Sequence, residues 1–259
     1  MATTLLDSIG ATALQNGPSR RMYPFLRGDS ADKYARITER EYSQLASSYA
    51  PTVADRTSWT NLLLQSESFD NASWTKTALT PTADQLANPN DGDVTADKMM
   101  ETTANSGHIA AQTFTWTAVA HVFSVCAKAN GRDWIELALS DGTTVPRAFF
   151  NLSTGVVGTV SNCTSAIYAL GGEWYRCMQL WTSPLAAAGS VNIELSTDGV
   201  TLSYVGDTAK GVYLYGAQVT AAASFLASGP YIPTTTAART ISAPNIDYTD
   251  NSTADIPDW

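Results

Sequence analysis

Val191-Asn192-Ile193-Glu194-Leu195 alternates apolar and polar residues without a break. Successive side chains of a β-strand point to opposite faces, so this run sets Val191, Ile193 and Leu195 on a core and sends Asn192 and Glu194 toward solvent. Asp198-Gly199 follows it as a turn former, because both residues tolerate positive φ. Working outward, the same punctuation recurs at Asn90-Asp91-Gly92, Asn130-Gly131, Asp141-Gly142 and Gly171-Gly172. Between these turns lie strand-like runs at 122–128, 134–139, 174–181 and 212–219, rich in β-branched and aromatic residues. Short strands separated by tight turns predict an all-β, antiparallel sandwich.

Composition agrees with a folded chain. Of 259 residues, 44% are hydrophobic and 15% charged, with a net charge of −9. Phosphate neutralisation needs clustered Lys and Arg, so this acidity argues against a nucleic-acid partner. No apolar run approaches the roughly 20 residues of a membrane helix, which argues against membrane insertion. The N-terminus has no basic residue ahead of its apolar positions, so no secretory signal is expected and synthesis is assigned to a cytoplasm. Three cysteines without a CxxC pair and two histidines are too few ligands for zinc. The run Asn90-Asp91-Gly92-Asp93 reads as a β-turn, its spacing unlike that of a calcium loop. No metal and no cofactor are expected.

The charge is uneven. Residues 1–58 carry seven basic and six acidic groups, residues 59–236 seven and fourteen, and residues 237–259 one and four. The first stretch lacks period-2 alternation and is broken by Gly10, Gly17-Pro18, Pro24 and Gly28. It reads as an extended arm, 1–59, with one short helix over 38–49: Thr38, Tyr42, Leu45 and Tyr49 share a face, and Thr38 with Glu41 forms a capping-box pattern. Such an arm docks either on another molecule or on its own sandwich. The sandwich is assigned to 60–243. The remainder, 244–259, is an acidic irregular tail.

Seven segments carry a resemblance: NLLLQSESFDNASW (61–74), DGDVTADKM (91–99), FSVCAKA (123–129), FFNLSTGVVG (149–158), GEWYRC (172–177), GVYLYGAQV (211–219) and YIPTT (231–235). In this order they resemble a β-sandwich module of tailed-phage structural proteins, similar to a concanavalin-type or carbohydrate-binding jelly roll. The resemblance implies a jelly roll whose first and last segments, at Asn61 and near Thr235, are neighbours. Trp74, Trp174 and Tyr175 would fill its core, while Gly211 and Gly216 would permit close backbone approach or a bulge. It further implies a phage virion protein assembled in the host cytoplasm, docked on other virion proteins through its arm and displaying a lectin-like sandwich. A tail fibre or appendage contacting host surface glycans is one reading. The alternative is an architectural capsid decoration or head fibre that binds no glycan. Related fibres and decorations are commonly trimeric, so a homo-oligomer is expected, with the 38–49 helix as one device for it.

Glycoside hydrolysis requires two placed carboxylates, and Glu136 and Glu194 are the pair on strands. Outward strand glutamates are ordinarily solvated, there is no GxSxG, and no enzyme is expected. Alternation on 134–139 points Ile135, Leu137 and Leu139 inward and Trp134 and Glu136 outward. Arg176 and Asn192 belong to the outward sets of their strands, with Tyr213 or Tyr215 beside them. If these strands share a sheet, Trp134, Glu136, Arg176, Asn192, Tyr213 and Tyr215 form one surface. It would suit a glycan or a neighbouring subunit equally, because aromatics and Arg favour both. Cys126 and Cys177, on different strands, are expected to face one core as free thiols.

Overall fold

A computed structural model describes residues 58–242. Residues 1–57 of the arm, with the helix expected over 38–49, and the tail assigned to 244–259 therefore lie outside the described residues, while Ser58 and Trp59 at the arm's end belong to the first strand. In chain order the strands are β1 (Ser58–Asn61), β2 (Thr75–Thr77), β3 (Leu79–Ala87), β4 (Val94–Glu101), β5 (Asn105–Ser106), β6 (His108–Thr115), β7 (His121–Asn130) and β8 (Trp134–Ser140). They continue as β9 (Arg147–Asn151), β10 (Val156–Ser161), β11 (Thr164–Gly171), β12 (Trp174–Trp181), β13 (Ala188–Ser196), β14 (Tyr204–Val205), β15 (Gly211–Ala221) and β16 (Arg239–Ser242).

Twelve of them build two six-stranded antiparallel sheets. Sheet I has the order β10-β9-β8-β13-β6-β2 and sheet II the order β11-β12-β7-β15-β4-β3. The pairs β14-β5 and β1-β16 stand apart as two-stranded ribbons. This is the expected jelly-roll sandwich, and β12 matches the anticipated run residue for residue. Between the sheets, Ile135, Leu137 and Leu139 of β8 and Val191, Ile193 and Leu195 of β13 meet Phe123, Val125, Cys177, Val212 and Leu214 of sheet II, all fully buried. Strict alternation thus does put one face of each strand into a common core.

The chain ends of the sandwich are sewn together by Asn61, whose side chain is fully buried. Its amide donates to the carbonyls of Ala217 (3.0 Å) and Ile232 (2.9 Å), and its oxygen accepts from the amides of Leu63 and Val219 (3.2 Å each). Backbone bonds from Gln65 to Thr235 and from Ser66 to Thr234 continue the seam. The first and last segments are neighbours, as the jelly-roll reading requires.

Gly211 and Gly216 behave as anticipated. A Cβ at Gly211 would stand 1.9 Å from the Met99 carbonyl oxygen, so only glycine lets β15 lie this close to β4. Gly216, at φ +65°, sits where the β15–β7 register slips between Tyr215 and Gln218, a bulge. Two packing expectations need correction. Trp74 fills the main core, but Trp174 is buried in a separate cluster with Ala96 and Tyr215 on the far side of sheet II, and Tyr175 packs only partly against the core. Cys177 faces the core, whereas Cys126 lies in that outer cluster. Arg176, adjacent to Cys177, pairs with Cys126, so alternation turns the two thiols to opposite faces of one sheet.

Candidate ligand-binding face

The six anticipated surface residues do not share a sheet. Trp134, Glu136 and Asn192 lie on β8 and β13 of sheet I; Arg176, Tyr213 and Tyr215 lie on β12 and β15 of sheet II. All six point away from the core, but from its two opposite sides. The sequence patterns each strand's faces correctly and carries no direct statement of which strands pair, so the single surface divides into two trios.

On sheet I, Glu136 and Glu194 are directly opposed across β8 and β13. Neither is solvated as expected: Glu136 is 0% exposed and Glu194 7%. Arg147, from the strand beyond β8, places Nη1 2.7 and 2.9 Å from the two Glu136 oxygens. The two carboxyls also hydrogen-bond to each other. Burial, together with the neighbouring Glu136 charge, pushes the Glu194 carboxyl up to about 7. Burial raises the Glu136 carboxyl too, against the pull of Arg147. The pair therefore holds one proton between them near neutrality. Carboxyls in contact leave no space for a glycosidic bond, which the two groups of a hydrolase must flank at roughly 5 Å or more. Trp134 is half-buried against the backbone at Gly158 and Gly199, and Asn192 is half-buried. Arg147 was not singled out from the sequence. Its signal is the Asp141-Gly142 turn: folding β9 back onto β8 brings Arg147 opposite Ala138, one step diagonal from Glu136.

A second buried ionic cluster closes one end of the sandwich. Arg132 Nε and Nη2 donate to the two Glu101 oxygens at 2.6 and 2.9 Å, and Tyr204 Oη and the Asp207 amide donate to the same carboxylate at 2.7 and 2.9 Å. Burial works against the Glu101 charge, yet these bonds hold its carboxyl below the usual range. Every acceptor site here is occupied by the protein itself, which marks a clamp and not a binding site.

On sheet II the outward side chains stand in two registers. Tyr213 of β15 lies between Lys98 of β4 and Lys128 of β7. In the next register, Tyr215, Cys126, Arg176 and Tyr168 follow one another across β15, β7, β12 and β11. Tyr215 is 2% exposed and Trp174 5%, so they form the floor. Tyr213, Arg176, Tyr168, Lys98 and Lys128 are half-buried and form the face a ligand would meet. Arg176 Nη2 donates to Ser124 Oγ at 3.3 Å, which lays the guanidinium along the sheet. Cross-strand neighbours sit about 5 Å apart, close enough for one ligand to touch several of these groups at once. Flat aromatic rings beside hydrogen-bonding cations offer stacking and directional polar contacts together. Lys98, Lys128 and Tyr168 were missed by sequence reasoning; with β4, β7 and β11 placed beside β15 and β12, alternation alone would have found them. Among the described residues no group of three or more His, Cys, Asp or Glu side chains is arranged to hold a metal ion.

No protein-family model matches the chain, and no curated protein matches it. Among solved structures, the enzymatically active domain of tailspike protein 4 from bacteriophage CBA120 aligns at 15% identity and a TM-score of 0.38, covering 60% of this chain and 20% of that one. The module TmCBM61, in complex with β-1,4-galactotriose, aligns at 12% identity and a TM-score of 0.38, covering 61% of this chain and 97% of that one. The CBM22-1-GH10 modules of the Clostridium thermocellum endo-1,4-β-D-xylanase 10B, complexed with xylohexaose, align at 17% identity and a TM-score of 0.37, covering 64% and 28%. The aligned part spans about a fifth of the tailspike chain and somewhat over a quarter of the xylanase chain.

Proposed function

We propose that this chain is a non-catalytic saccharide-binding module that takes its ligand on the outer face of sheet II. One observation carries the reading: Tyr213 on β15 and, across β7, Arg176 and Tyr168 on β12 and β11 are half-exposed on one face of sheet II, above the buried Trp174 and Tyr215. Aromatic rings stack on the apolar faces of pyranoses, and the guanidinium offers several fixed donors to hydroxyls. The fused carboxyl pair of sheet I supports a binding role over glycoside hydrolysis. The test is a glycan array probed with the wild-type chain and with Tyr213→Ala. Retention by the first and its loss in the second supports the reading; no sugar-dependent retention by the wild type defeats it.

The wider setting rests on the sequence resemblance. In this reading the module is displayed on a phage particle, as a tail fibre or appendage, with residues 1–59 docking on other virion proteins. Deletion of residues 1–58 should then leave a folded sandwich that no longer enters particles. The architectural alternative has its own observation: β10 presents Val156 (55% exposed) and Val160 (38%) on the outermost strand of sheet I, with no charged residue along it. Natural sheets usually protect such an edge, so a contact with a second copy fits it. Light scattering tests this: a trimer or other oligomer that Val156→Lys with Val160→Lys converts to a monomer supports the contact, and a monomeric wild type removes it.

A further inference from the structure

Charge is distributed on sheet II in a way that the saccharide reading does not by itself require. The described part of the chain is acidic, yet the outward residues of the paired registers of sheet II include Lys98, Lys128 and Arg176 and no carboxylate. Elsewhere in the fold, cations are matched. Arg132 binds Glu101, Arg147 binds Glu136, Lys210 lies 3.8 Å from Asp207, and Lys76 donates to the carbonyls of Asp70 and Asn71. Within the face, Lys128 is held by Glu173 at 3.1 Å and by the Gly172 carbonyl at 2.9 Å. Of the other carboxylates, Glu67 and Asp91 stand by Tyr215, the Tyr231 hydroxyl donates to Glu67 at 3.1 Å, and Asp84 is exposed in the β3 bulge at the edge of the sheet.

Lys98 and Arg176 differ from this pattern. Among the described residues the Lys98 side chain has no hydrogen bond or ion pair, and the Arg176 guanidinium donates to the Ser124 hydroxyl. Both are half-buried. A half-buried cation without a carboxylate partner keeps hydrogen-bonding capacity that an anionic ligand would fill with charge-assisted bonds. Lys98 on β4 and Arg176 on β12 are separated by β15 and β7, three strand spacings, or about 15 Å across the sheet. Tyr213 and the Cys126 position lie between them, so the ligand must be longer than one sugar.

Resting on the saccharide reading above, we infer that the ligand is an acidic oligosaccharide, laid across sheet II from β4 to β11. Its anionic groups meet Lys98 and Arg176, and its ring faces meet Tyr213 and Tyr168. The strand pairing fixes the distance between the two cations, so spacing of charge along the ligand is recognised together with its sign.

The experiment uses the full chain against immobilised uronate-containing, sialylated and sulfated oligosaccharides beside their uncharged counterparts, with polyglutamate as a non-sugar polyanion. Lys98→Gln and Arg176→Gln are measured in parallel after an unchanged melting temperature has shown that each is folded. The expected result is retention by one or more acidic glycans, at least tenfold tighter than the matched neutral glycan, with each variant losing about tenfold more on the acidic glycan than on the neutral one. Equal retention of acidic and neutral glycans, with each variant affecting the two alike, overturns the inference and leaves the saccharide reading standing. Polyglutamate bound as tightly as the acidic glycans also overturns it, because the face would then respond to charge without the sugar. Binding to no glycan of either class defeats both.

Discussion

Replacing Asn61 by Ala removes a side chain that joins three separate segments of the sandwich. The side chain is fully buried and makes four hydrogen bonds, two donated to the carbonyls of Ala217 and Ile232 and two accepted from the amides of Leu63 and Val219. Each such bond contributes about 1 kcal/mol net, and a buried backbone group left without a partner loses about 1–3 kcal/mol. A water entering the vacated space can satisfy part of the set, so the expected loss is about 3–5 kcal/mol. For a domain of this size 1 kcal/mol corresponds to roughly 2–4 °C in melting temperature, giving a drop of roughly 6–20 °C. Asn61→Asp sharpens the test. It conserves volume and the acceptor, but turns an oxygen toward two carbonyl oxygens, so it should be at least as damaging at pH 8 and partly relieved at pH 4, where a protonated carboxyl can donate to one of them. Thermal unfolding followed by circular dichroism reads both variants. A loss below about 1 kcal/mol for Asn61→Ala would show that backbone pairing alone holds the seam, and the closure argument would fail.

Three further outcomes follow from the same structure. The native Glu194 carboxyl is raised to about 7, so between its unfolded value and that pH the folded state holds a proton the unfolded chain has released; the pair's contribution is greatest at the acid end and is lost as pH climbs through about 7. Glu194→Gln, neutral and able to donate to Glu136, should therefore be more stable than wild type by about 2 kcal/mol at pH 8 and close to it at pH 4, measured by urea titration at both; the reverse order contradicts the shared-proton description. Gly211→Ala drives a methyl into the Met99 carbonyl oxygen and should cost about 3 kcal/mol or more by forcing β15 off β4; unchanged thermal unfolding refutes that close approach. Cys177 is fully buried with its thiol pushed well up by burial, so Ellman's reagent should reach the half-buried Cys126 and Cys163 first and Cys177 only on unfolding, with three thiols recovered in denaturant.

What could be read before the fold was known follows the range of each physical signal. Alternation and turn chemistry act over a few residues, and they placed β7, β8, β12, β13 and β15 and the outward set of each strand. The bulge at Gly216 and the close approach at Gly211 were legible because glycine inside a strand has few other uses. Pairing is a property of the whole sheet, and it decides most of what was misjudged. Arg176 and Glu136 have the same outward sense on their own strands, but β12 and β8 are in different sheets, so no ligand spans them. Glu194 looks like a solvated strand residue until β8 is set beside β13; then it meets Glu136 and the two share a proton beside Arg147. Lys98 became part of the face only through its register with Tyr213.

The most direct test of the central claim is chemical-shift mapping of the isotope-labelled full chain during titration with a glycan retained on the array. The account predicts perturbations centred on Tyr213, Lys128, Arg176 and Tyr168, extending to Lys98, with the amides of Trp134, Glu136 and Asn192 unmoved. Perturbations centred instead on Trp134 and Asn192 would place the ligand on sheet I and contradict the account, as would saturation of the chain with ligand while β15 and β12 remain unchanged.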